Sequence, residues 1–179
     1  MKITILINDK EALTMNVDVK GKKRESCCMM INSVDFAVYL NDKAKERNMS
    51  VNKTKLQKLL YICYGSYLAL NNGEQLLDEM PNAWDFGPAF PNVYDAQKNT
   101  ENGLDGRDVV NTEMIVLNRF DALIKSVLDF FGEWTSEQLV EWTHQVNTAW
   151  YKRYHTERSR YTPLNNCDIT KDFERYITA

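Results

Sequence analysis

Few side chains in this sequence could make or break bonds. The chain of 179 residues has two histidines, His144 and His155, and four cysteines, Cys27, Cys28, Cys63 and Cys167. His144 lies beside Trp142 and near Trp150, so its imidazole and the indoles could form the wall of a pocket. A general base needs a pKa near the working pH and a proton within hydrogen-bond reach. A histidine among indoles is more often a packed group bonded to backbone than such a base. The motifs of nucleophilic and metal chemistry are missing: there is no Ser elbow, no phosphate-cradling Gly-rich loop, and no His-x-x-x-His or Cys-x-x-Cys pair. Cys63 falls on an apolar helical stripe, which suits a thiol that packs rather than reacts. Cys27 and Cys28 are adjacent, poor geometry for a mutual bridge. The pattern fits reduced thiols and a cytoplasmic location. Acidic pairs such as Asp78-Glu79 sit in stretches that read as exposed. No catalytic residue, cofactor or metal is therefore expected.

The element that must position everything else is a long helix starting near Lys53. Leu56, Leu59, Leu60, Cys63, Tyr67 and Leu70 follow a 3.6-residue period, and Tyr61, Tyr64 and Leu68 form a second apolar row beside them. A helix apolar over more than half its circumference is covered on several sides. Asn52 or Thr54 can cap its start, and Gly73 marks its stop. A helix over 33–48, capped by Asn32 or Ser33, precedes it, with Phe36, Val38 or Tyr39, Leu40 and Ala44 facing inward. A short extended return and a Trp-x-x-Gly-Pro turn follow, then a helix ending at Asn99 that Pro88 and Pro91 admit in its first turn. Residues 100–112 read as loop. A single helix is expected over 113–131 on Leu117, Phe120, Ile124, Val127 or Leu128 and Phe131, with Gly132 as its stop. Thr135 to Gln138 reads as a capping box. Residues 155–165 are polar, and Ile169, Phe173, Tyr176 and Ile177 give a last helix over 168–177.

Residues 1–19 alternate with a period of two and read as a β-hairpin turning at 8–12. A lone hairpin is marginal in water, so it must dock, pair with another chain or stay unordered. Lys20 to Arg24 reads as a basic linker. The division expected is 1–28 as hairpin extension and linker, with Met29-Met30 as an alternative start, and 29–179 as the body. The fold class is mainly α, five to seven helices, with a minor β component. With 44% apolar and 26% charged residues the chain is of ordinary globular composition. A formal charge of −3 and a pI near 5.5 give no general attraction to nucleic acid. No apolar run approaches the length needed to span a bilayer.

Trp84, Gly87, Pro88, Pro91 and Tyr94 make the most distinctive cluster. Such a set reads as a structural corner over the central helix, or as a preorganised docking surface rich in hot-spot residue types. No Lys or Arg lies between Trp84 and Gln97, which argues against nucleic acid at this corner.

Thr54-Lys55-Leu56-Gln57-Lys58-Leu59-Leu60-Tyr61, then Gly65-x-Tyr67-Leu68-Ala69-Leu70, then Ala83-Trp84-Asp85-Phe86-Gly87-Pro88-Ala89-Phe90-Pro91-x-x-Tyr94 occur in an order that resembles the Panacea domain. This is the SocA-like or GepA-like phage-associated family. Leu139-x-x-Trp142-Thr143-His144-Gln145 with Trp150-Tyr151 is similar to its later Leu-x-x-x-(Ser/Thr)-His and tryptophan. The likeness spans about residues 33–176. It implies a mostly helical antitoxin, with no catalytic residues, that neutralises a cognate protein toxin by direct contact. The family's toxins include translation-blocking nucleotidyl- or pyrophosphate-transfer enzymes. Alternatives are an adaptor delivering its toxin to an ATP-dependent protease, a phage-borne inhibitor of a host protein, a homo-oligomer, or an enzyme using His144. Expected partner contacts are Ile3, Ile5, Leu13, Met15 and Val17 of the hairpin and Trp84, Phe86, Phe90 and Tyr94 of the corner. Leu56, Leu59, Leu60, Gly87, Pro88, Pro91, His144 and Trp150 are expected to be structural.

Overall fold

The computed structural model describes residues 2–7, 10–16, 30–98 and 104–178. An antiparallel hairpin, β1 (Lys2–Ile7) and β2 (Lys10–Asn16), precedes two helices, α1 (Ser33–Lys45) and α2 (Lys53–Leu70). A tight hairpin, β3 (Asn82–Trp84) and β4 (Gly87–Ala89), leads into α3 (Pro91–Lys98). Then come α4 (Met114–Leu117), α5 (Asp121–Phe131), α6 (Ser136–Thr143), α7 (Ala149–Tyr151), α8 (Asn166–Glu174) and β5 (Ile177–Thr178). The chain is mainly α with a minor β component.

Helix α2 is the axis. It packs against α1, α3, α5, α6, α8 and β4. From Leu56 to Cys63 every residue is buried, including Gln57 and Lys58. Asn52 caps it through its side chain, accepting from the Lys55 amide at 2.8 Å. The Lys55 ammonium donates to the Gly132 carbonyl and ties its first turn to the end of α5. At Gly65 an added Cβ would meet the Phe173 ring at 2.2 Å, so the missing side chain lets α8 lie against the helix backbone. Gly73, with φ +82°, donates its N–H to the Leu68 carbonyl and ends the helix.

Carboxylates hold several helix starts, where backbone N–H groups lack intrahelical partners. Asp78 accepts from the Ser33 amide at 2.9 Å, and Glu79 from the Ser33 hydroxyl at 2.6 Å and the Asn92 amide at 3.0 Å. This pair thus links the starts of α1 and α3. Asp172 of α8 accepts from the Ala149 amide that opens α7. Burial raises the Asp172 pKa above the usual carboxylate range.

Three expectations are corrected. The helix expected over 113–131 divides at a 3-10 turn, Asn118–Phe120, so the described residues hold eight α-helical segments. The last helix starts earlier, at a cap on Asn165, and ends at Glu174. Ile177 then pairs with Ile5 and Thr178 with Thr4, which makes β1 the middle strand of a β2-β1-β5 sheet. β2 lies against α5. Val17, Cys27, Cys28 and the basic linker lie outside the described residues.

Candidate functional site

The site is built on the β3–β4 hairpin. Its register sets Ala83 opposite Pro88 and Trp84 opposite Gly87, with Asp85-Phe86 as the loop. Ala83 turns its backbone away from β4: its amide donates to the Thr162 carbonyl at 2.9 Å, and its carbonyl accepts from the Tyr161 amide at 2.8 Å. Ala83 and Pro88 are therefore a pair that exchanges no hydrogen bonds, and the N–H that proline lacks is not required there.

The outward edge of β4 would have unpaired backbone groups buried against α2, which is costly unless they find partners. Two side chains of α2 supply them. Gln57 accepts from the Phe90 amide through Oε1 at 2.8 Å, and its Nε2 faces the Phe90 carbonyl at 3.5 Å. The Lys58 Nζ donates to the Pro88 carbonyl at 2.8 Å. In effect Gln57 and Lys58 replace a neighbouring strand. Lys58 is only 2% exposed, and burial pushes its pKa down to about 7.

The opposite support comes from α6 and α7. The Trp150 Nε1 donates to the Trp84 carbonyl at 2.8 Å. His144 stacks on Trp150 with ring centroids 3.8 Å apart and planes within 5°. Gly87, at φ +94°, is wedged between these parts. An added Cβ would lie 2.8 Å from Thr143 Oγ1, 3.0 Å from Lys58 Cε and 3.1 Å from His144 Nε2. The His144 Nε2 is shielded and has no hydrogen-bond partner among the described residues. Burial, joined by the charges of Lys58 and His155 and opposed by a hydrogen bond with the Phe86 backbone, lowers the His144 pKa to about 4. With a pKa near 4 this imidazole is a weak base at pH 7, and Gly87 lies close over its Nε2. The nearby crevice lined by Tyr61, Trp142, Asp172 and Tyr176 offers about 10 Å³, room for one water.

The hairpin's other surface is open. Phe86 at the loop tip is 75% exposed, Tyr161 56% and Tyr94 42%. The partly exposed Trp84 ring meets Tyr94 edge-on at 4.8 Å and Tyr161 at 6.4 Å. Asp85 accepts from the Tyr154 and Tyr161 hydroxyls, each at 2.6 Å, and these bonds hold its pKa below the usual range.

The structure brings Gly87, Pro88, His144 and Trp150 into one assembly. Leu56, Leu59 and Leu60 lie in the core. Pro91 opens α3. Trp84, Phe86 and Tyr94 reach the surface, whereas Phe90 does not. It is fully buried, its ring edge-on to Tyr64 at 5.6 Å, and its place among the partner contacts is corrected. Ile3 pairs with Met15 and Ile5 with Leu13 across the N-terminal hairpin. Sequence reasoning missed Gln57, Lys58, Thr143, Asp85 and Tyr161. The signal for Gln57 was its spacing: it heads the Tyr61, Tyr64 and Leu68 row at i, i+4, i+7 and i+11.

The α2 anchors, the Trp-x-x-Gly-Pro hairpin and the His144–Trp150 stack all fall within the stretch that a family model matches. The family model described as "Antitoxin SocA-like, Panacea domain" matches residues 56–151, and the chain belongs to that family. Antitoxin SocA of Caulobacter vibrioides (strain NA1000 / CB15N) is 29% identical over 131 residues, 66% of this chain and 69% of the relative. No solved structure matches.

Proposed function

We propose that this chain is an antitoxin that neutralises one cognate protein toxin by binding it directly. The observation that carries the reading is where the family match falls. Residues 56–151 enclose the α2 anchors, the β3–β4 hairpin and the His144–Trp150 stack, and a relative of the same kind is named as an antitoxin. The arrangement favours display over catalysis. Its ionisable groups are spent on holding a hairpin whose outer face carries aromatic residues suited to an interface core. The toxin would lose its active site or substrate surface beneath a contact on the order of 800 Å² per partner. The N-terminal hairpin, with one edge of β2 unpaired among the described residues, is the second contact.

The test is co-expression. A protein encoded beside this chain that arrests growth alone should be tolerated when the two are made together, and the two should co-purify in fixed ratio. Continued arrest despite full expression of the soluble chain would refute the reading. Rescue with a shortened toxin half-life would favour delivery to a protease over blocking.

A further inference from the structure

On the antitoxin reading, we infer that Trp84, Asp85, Phe86, Tyr94 and Tyr161 form a docking surface for an arginine-bearing basic patch of the partner protein. Direct contacts join these rings into one surface. Trp84 touches Tyr94 and Tyr161, and Tyr161 reaches Asp85 through its hydroxyl. Phe86 is exposed at the tip of the same hairpin.

Charge selects the occupant. From Glu74 to Gln97 the chain carries Glu74, Asp78, Glu79, Asp85 and Asp95 and neither Lys nor Arg. The donors to Asp78 and Glu79 are the neutral Asn32, Ser33 and Asn92 groups, which satisfy those carboxylates without adding positive charge. Asp85 and Asp95 are exposed. Asp85 and Asp95 beside exposed rings suit a cation that is also planar, and the exposed Arg158 and Arg160 flanking Tyr161 offset part of their charge. Guanidinium stacks on aromatic faces and bonds carboxylates in a fork, and it gives up hydration more readily than ammonium.

The local geometry already accepts one such group. Arg160 of the same chain lies over the Tyr154 ring at 4.4 Å, on the far partner of Asp85. Trp84, Tyr94 and Tyr161 are left for a second. Asp85 is preorganised, because each of its oxygens already takes one tyrosine hydroxyl and retains lone-pair capacity for a fork-shaped donor.

The probe is the growth-arresting protein defined above, titrated with the full-length chain. The association rate should fall about tenfold or more between low and high salt, as for steered charged partners. Asp85→Asn, which removes the charge and one of the two oxygens that take the tyrosine hydroxyls, should weaken binding roughly tenfold, more than its lowered melting temperature accounts for. Asp95→Lys should slow association with no structural consequence. Salt-independent association together with unchanged affinity in both variants would overturn the basic-partner inference and leave the antitoxin reading standing. Failure of the wild-type chain to bind or neutralise the toxin would remove both.

Discussion

Lys58 is a buried amine whose hydrogen-bond acceptor is a carbonyl, not a carboxylate. Its folded pKa near 7 lies below the ordinary 10.5, so the unfolded chain keeps the proton to higher pH. Stability must therefore rise with pH above 7, at up to about 1.4 kcal/mol per unit. The window closes near pH 8.5, because Cys63, Tyr61 and Tyr64 have raised pKa values and work the other way once their unfolded counterparts ionise. Denaturant unfolding of wild type and Lys58→Met between pH 7 and 8.5 should give diverging curves, the wild type gaining and the variant flat. Parallel curves would mean that the amine is solvated. His144 acts in a separate range: with a folded pKa near 4 against 6.5, it withdraws stability as pH falls from 6.5 towards 4. Gly87 is the other decisive residue. Gly87→Ala adds a positive-φ penalty to a contact of 2.8 Å with Thr143 Oγ1, and should cost about 2–4 kcal/mol, read as a lower melting temperature.

At the level of elements, periodicity located the helices because their apolar stripes are continuous, and caps at Asn52 and Thr135 were readable because those side chains bond the amides they face. The break at Asn118–Phe120 was not readable, since Leu117, Phe120 and Ile124 keep helical spacing across it. The role of Gln57 and Lys58 was hidden for a related reason. A polar residue in a buried helix face declares its partner only once the strand edge it serves is in place. Strand β5 was masked by Phe173, Tyr176 and Ile177, which continue a helical pattern beyond the end of α8. Its pairing with β1 ties the N-terminal hairpin to the segment following α8. Removing residues 1–28 should leave far-UV circular dichroism of the helices in place while neutralisation weakens. Full rescue of growth by the truncated chain would take the hairpin out of the interface.

Across the whole molecule, one hairpin meets the solid body on one side and solvent on the other, so stability and binding should separate by side. Phe86, 75% exposed at the tip, contributes little to the fold, and Phe86→Ala should move unfolding free energy by no more than about 0.5 kcal/mol. Trp84 is different. Its ring is pinned between Tyr94 and Tyr161, and its carbonyl receives the Trp150 indole. Trp84→Ala keeps that carbonyl but loses the ring packing, and should cost on the order of 2 kcal/mol, lowering the melting temperature by roughly 4–8 °C in a chain of this size. If the outer face docks a toxin, both variants should lose neutralisation, Phe86→Ala without any thermal change and Trp84→Ala with one. Growth rescue measured beside melting curves distinguishes the cases. Neutralisation that fails only in proportion to lost stability, with Phe86→Ala indistinguishable from wild type, would reduce the corner to a structural clasp and move the interface elsewhere.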